Sequence, residues 1–112
     1  MEMASTNCLI FTNARFDDEV LKSDQPVLVD FWADDCKPCE HLVPTIDAVA
    51  SEYAGRAKVG KLKVVADDAH IAARYKILAV PTLLLFKGGR VVDQRVGNVH
   101  KSEIQKMLDA HV

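Results

Sequence analysis

A chain of 112 residues with 49% apolar and 27% charged content can bury a core of its own without metal or disulfide staples. Its 14 basic and 16 acidic residues leave a formal net charge of -2, which removes the basic excess that nucleic-acid binding requires. No apolar run reaches membrane-spanning length, and Met1-Glu2-Met3-Ala4-Ser5-Thr6 lacks the basic start and apolar stretch of a signal peptide, so reducing cytoplasm is the expected compartment.

Leu9-Ile10-Phe11 reads as a short first strand. Thr12 or Asn13 is placed to cap a helix through Lys22, with Phe16, Val20 and Leu21 on its buried side. Ser23-Asp24-Gln25-Pro26 is turn chemistry. Val27 to Ala33 is apolar on both alternating faces, as a central strand covered on both sides should be. Cys36-Lys37-Pro38-Cys39 follows directly. A helix begins in the second half of that motif, with Leu42, Ile46, Val49, Ala50 and Tyr53 at helical spacing. Pro44 falls inside it and should kink it, and Gly55 ends it. Lys58 to Val65 is the next strand and Asp67 to Tyr75 a short helix. Thr82 to Phe86 is a further buried strand, Lys87-Gly88-Gly89-Arg90 a turn, and Val91 to Val96 the antiparallel return. The last helix starts near Lys101, with Ile104, Met107 and Leu108 facing inward. With no repeat or linker, the expectation is one α/β domain over 1–112, with 1–7 as a candidate disordered lead. Its central sheet is mixed and five-stranded, and four helices flank both faces.

Strand, CxxC and helix in that order set the Cys36 sulfur at a helix N-terminus. Unpaired backbone N–H groups and the macrodipole favour negative charge there. The thiolate is the attacking species in thiol–disulfide exchange, so Cys36 is the candidate reactive cysteine. Two rival readings are packing cysteines and a zinc site. Tetrahedral zinc needs about four ligands. The chain has no second CxxC, Cys8 is distant in sequence, and His41, two residues past Cys39, should point elsewhere. Asp30 interrupts an apolar strand. Burial would raise its pKa, unless it lies at a strand edge and reaches solvent. Cys8 reads as a small packing residue, and His70, His100 and His111 as surface residues.

Four features together resemble the thioredoxin family: Val27-Leu28-Val29-Asp30-Phe31-Trp32-Ala33, the Cys36–Cys39 motif with Pro44 behind it, Val80-Pro81-Thr82 before Leu83-Leu84-Leu85-Phe86-Lys87-Gly88-Gly89, and Val96-Gly97. The resemblance covers Phe16 to Leu108. It departs at Asp35, Lys37 and Glu40, where the family has Trp, Gly and a basic residue, and by about one extra residue between Lys63 and Tyr75. It implies the thioredoxin fold and a protein-disulfide reductase. Cys36 would attack a target disulfide and Cys39 would resolve the mixed disulfide. Asp30 would relay the Cys39 proton, through water, with Lys61 as its charge partner. Pro81 would follow a cis peptide bond that brings the Val80 backbone beside Cys36. Trp32, Lys37, Pro38 and Gly97 would complete the docking surface.

For Trp32 a half-buried strand aromatic, for Gly97 a turn glycine and for Pro81 a strand-start proline are the plainer readings. Lys37 should favour the thiolate, and Asp34 and Asp35 should oppose it. No cofactor or metal is implied. The implied partners are disulfide-containing target proteins and a thioredoxin reductase as electron donor, acting on a monomer. Two alternatives keep the fold: an oxidase or isomerase-like member, motivated by Lys37, and a non-catalytic partner-binding module, motivated by Asp35 and Glu40.

Overall fold

The computed structural model describes residues 7–65 and 70–112. The proposed helix start at Asp67-Asp68, and all of the proposed disordered lead except Asn7, lie outside the described residues.

Five strands form one sheet: β1 (Cys8–Phe11), β2 (Val27–Trp32), β3 (Lys58–Lys63), β4 (Thr82–Lys87) and β5 (Arg90–Val96). They lie in the order β1-β3-β2-β4-β5. β1 and β2 run parallel to β3, β4 runs antiparallel to β2, and β5 antiparallel to β4. The helices are α1 (Lys37–Glu52), α2 (His70–Arg74) and α3 (Lys101–Asp109).

The alternation of β2 explains both layers. Leu28 packs with Leu42, Ile46 and Val49 of α1 and with Ile104, Met107 and Leu108 of α3. Val27, Val29 and Phe31 point to the other face, into a cluster with Phe16, Val20, Ile71 and Phe86. Within that second cluster the rings of Phe16, Tyr75 and Phe86 meet at 5.2–5.8 Å. Both sides of β2 are thus dry, as its unbroken apolar run requires. Asp30 shares the Leu28 parity and faces the α1 layer.

The helix expected from Thr12 to Lys22 is shorter than its pattern. Arg15 donates its N–H to Thr12, at 3.3 Å to the carbonyl and 3.2 Å to Oγ1, which closes a turn. A five-residue π-helical segment, Asp17–Leu21, follows, with Lys22 N–H donating to the Asp17 carbonyl at 3.0 Å. Phe16 and Val20 are still buried. α1 continues unbroken through Pro44, which is exposed, and ends at Glu52, with Gly55 in the turn beyond. Gly88 and Gly89, at φ +61° and +79°, make the tight hairpin between β4 and β5. The Tyr53 hydroxyl donates to Asp109 Oδ1 at 2.6 Å, and Lys101 pairs with Glu52, which ties α3 to the end of α1.

Candidate active site

β2 stops at Trp32, and the chain turns through Asp34 and Asp35, both exposed. Asp35 has φ +57°, a conformation that Asp tolerates better than most residues. Cys36 is extended, at φ -118° and ψ 103°, and is the N-cap of α1. Its Sγ accepts the Cys39 backbone N–H at 3.1 Å, which occupies one of the amides a helix start leaves unpaired. Pro38 lies in the first turn, where its missing N–H costs nothing. One turn separates the two cysteines, and they are joined as a disulfide. Cys36 keeps 9% of its surface exposed and Cys39 keeps 3%. Cys36, the candidate reactive cysteine, is thus nearly buried, although Lys37 and Pro38 beside it are exposed.

A second segment meets this sulfur. The Val80–Pro81 peptide bond is cis, and the Val80 carbonyl oxygen lies 3.8 Å from Cys36 Sγ. A disulfide sulfur has no proton to donate, so this is a packing contact. Pro81 is buried, and its carbonyl accepts the Gly97 N–H at 2.8 Å. Gly97 has φ +91°, which favours glycine there. Cys36, Val80, Pro81 and Gly97 therefore gather at one end of the sheet.

Asp30 is 1% exposed, so the strand-edge alternative does not hold. Its register partner across β2 and β3 is Lys61. Both line a cleft of about 150 Å³ that also reaches Cys39 and Trp32. Burial pushes the Asp30 carboxyl up to about 7, against the lowering effect of the Lys61 charge. Its Oδ1 has no hydrogen-bond partner among the described residues. Trp32 is half-buried, with Lys63 Nζ 5.5 Å from its ring centre, and Lys63 also pairs with Asp34 at 2.8 Å. Sequence reasoning missed Lys63. The Asp30–Lys61 pairing was the available signal, because two residues on, the same register sets Trp32 opposite Lys63.

Cys8 packs against the α1-side cluster. Burial pushes its thiol up to about 11, with the Lys61 charge opposing, which favours the protonated form at neutral pH. Among the described residues no group of three His, Cys, Asp or Glu is placed to hold a metal ion, and no helix is long and apolar enough to cross a membrane.

A family model described as Thioredoxin matches residues 7–110. The chain belongs to the thioredoxin family. Thioredoxin from Chlorobaculum thiosulfatiphilum is 46% identical over 90% of this chain and 93% of its own length. Thioredoxin 1 from a Nostoc species is 44% identical over 90% and 94%, and thioredoxin from Pseudomonas aeruginosa 43% over 90% and 93%. The chain is a thiol–disulfide oxidoreductase that reduces disulfides, and its close cysteine pair is the redox-active centre. Its departures from the usual thioredoxin motif fall on exposed side chains. Lys37 Nζ lies 3.9 Å from Glu40 and both side chains are largely exposed, so solvent screens the added cation.

Proposed function

We propose that this protein works as a single-domain, monomeric thioredoxin in the cytoplasm, reducing disulfides in other proteins and regaining electrons from a thioredoxin reductase. Cys36 is the attacking sulfur. Its thiolate displaces one sulfur of the target disulfide and forms a mixed disulfide. The Cys39 thiolate then attacks the Cys36 sulfur. The second target sulfur leaves as a thiol, and the Cys36–Cys39 bond closes. Two electrons pass to the target, which takes up two protons. Asp30, held near neutrality and sharing a cleft with Cys39, accepts the Cys39 proton, and Lys61 tempers its pKa. Trp32, Lys37, Pro38, Val80, Pro81 and Gly97 form the surface on which the target lies. No cofactor or metal takes part in this scheme.

The observation that carries this reading is the asymmetry of the pair. Cys36 caps the helix beside the Val80 carbonyl and keeps the larger exposure, while Cys39 lies behind it at 3%. The helix amides favour a thiolate at Cys36, and burial keeps Cys39 protonated until a base takes its proton.

Turbidity from a disulfide-linked substrate tests the scheme. Cys36→Ser should abolish reduction, and Cys39→Ser should trap mixed disulfides with several targets. Full activity in Cys36→Ser would overturn it. Equilibration against glutathione should give a potential near the thioredoxin value of roughly -270 mV. The paired Lys37 gives no reason for the far more oxidising value of an oxidase.

A further inference from the structure

Two aspartates lead into Cys36, and a like charge beside a sulfur opposes its thiolate. Asp34 is two residues away, and two residues of chain span at most about 7 Å. Its partner comes from another strand. β3 alternates, so Lys61 and Lys63 share one face of the sheet. Lys61 stands opposite Asp30 and Lys63 opposite Trp32. The Lys63 ammonium lies 2.8 Å from Asp34 Oδ2 and 5.5 Å from the centre of the Trp32 ring. The Val64 N–H donates to the Trp32 carbonyl at 2.7 Å, so backbone and side chain both fix the point where the turn leaves β2. An isolated surface ion pair contributes little, because two side chains must be ordered to make it. Here the ring and the carboxylate hold one ammonium together. The Lys63 side chain is 41% exposed, against 83% for Lys37. Asp34 also lines the cleft shared by Asp30 and Cys39, whereas Lys63 lies outside that lining and reaches it through Asp34.

We propose that Lys63 is a positioning residue of the redox centre: it holds Asp34 at the entrance to the turn and cancels its charge, so that the Cys36 thiolate forms near a neutral pair and not near a bare carboxylate. The other charged or titratable groups around the sulfur are Asp35 on the turn, Lys37, Cys39 and Glu40 on α1, Asp30 on β2 and Lys61 on β3. The Val80–Pro81 segment on the remaining side carries no charge. Lys37 pairs with Glu40, and Lys61 stands opposite Asp30. Lys63 supplies from outside the cysteine motif the cation that Asp34 needs. The chain can thereby carry an acidic residue at that position without slowing the attacking sulfur. The inference rests on Cys36 as that sulfur and adds what sets its reactivity.

The test uses the full chain, reduced beforehand, and follows alkylation of Cys36 by iodoacetamide from about pH 5 to 9, with peptide mass mapping to separate Cys36 from Cys39 and Cys8. At low ionic strength Lys63→Met should raise the midpoint of the rate profile by about 0.4 pH unit, the effect of one uncompensated charge at about 7 Å in water. Lys63→Arg should keep the parent midpoint. Asp34→Asn should lower it, and Lys63→Met combined with Asp34→Asn should return it close to the parent value. In about 1 M salt the differences should largely vanish, since charges are then screened beyond about 3 Å. An unmoved midpoint in Lys63→Met at low ionic strength would overturn the proposal, as would a double variant displaced as far as Lys63→Met alone. A shift that persists in 1 M salt would also overturn it, because a distorted turn and not a charge would be responsible. If Cys36→Ser keeps full disulfide-reducing activity, the redox reading fails and the proposal falls with it, whatever the alkylation profile.

Discussion

Asp30 has given up nearly all contact with water, and the Lys61 charge offsets only part of that loss. Its proton is held more tightly in the folded protein, at about 7, than at the ordinary 3.8. The stabilisation from this group is full below 3.8 and is lost as pH rises through about 7. A shift of that size corresponds to about 4 kcal/mol. Asp30→Asn cannot ionise. The stability difference between variant and parent in the oxidised state should therefore move in the variant's favour by a few kcal/mol from pH 4 to pH 8.5. Urea unfolding across that range checks this, and a difference that ignores pH would contradict the burial of the carboxyl. Gly97 makes a simpler case. A methyl group there meets nothing within 4 Å, so Gly97→Ala should cost only its strained φ of +91°, about 1 kcal/mol in the same assay. Asp30 was legible in the sequence because one charge breaks an apolar strand. Lys63 was not. Lys58, Lys61 and Lys63 all lie on β3, and only the folded chain decides which of them meets Trp32 and Asp34.

At the level of elements, the strands could be read from their apolar runs, and the hairpin from its paired glycines. The first helix was misjudged in length for a specific reason. Phe16, Val20 and Leu21 satisfy helical spacing within little more than one turn. Upstream, the Thr12 hydroxyl competes for the Arg15 N–H and closes a turn instead. β3 holds a constraint that no periodicity reveals. Gly60 faces β1 so closely that an added Cβ would lie 2.7 Å from the Leu9 carbonyl oxygen and 2.6 Å from the Phe11 ring. The ring can turn away, but the carbonyl belongs to a paired strand and cannot. Gly60→Ala should cost roughly 1–3 kcal/mol, seen as a lower urea midpoint, and should loosen β1 first in hydrogen exchange.

Across the whole molecule, the two faces of the sheet are stabilised separately. α3 contributes Ile104, Met107 and Leu108 to one of them, each at most 1% exposed. Removing the chain after His100 would forfeit roughly 5–9 kcal/mol of burial, comparable to the whole stability of a small domain. The truncated protein should lose its cooperative thermal transition by circular dichroism, although every active-site residue is still present. The redox chemistry spans both faces. α1, which holds the two sulfurs, hangs from one cluster, and Tyr75 and Ile77, which precede Val80, pack against the other. The reactive centre is therefore a seam between two independently filled halves, clamped in alignment by the strands between them. A shift of either half against the other would change the gap between Cys36 and Val80, so the exchange rate should report how faithfully the interior is packed.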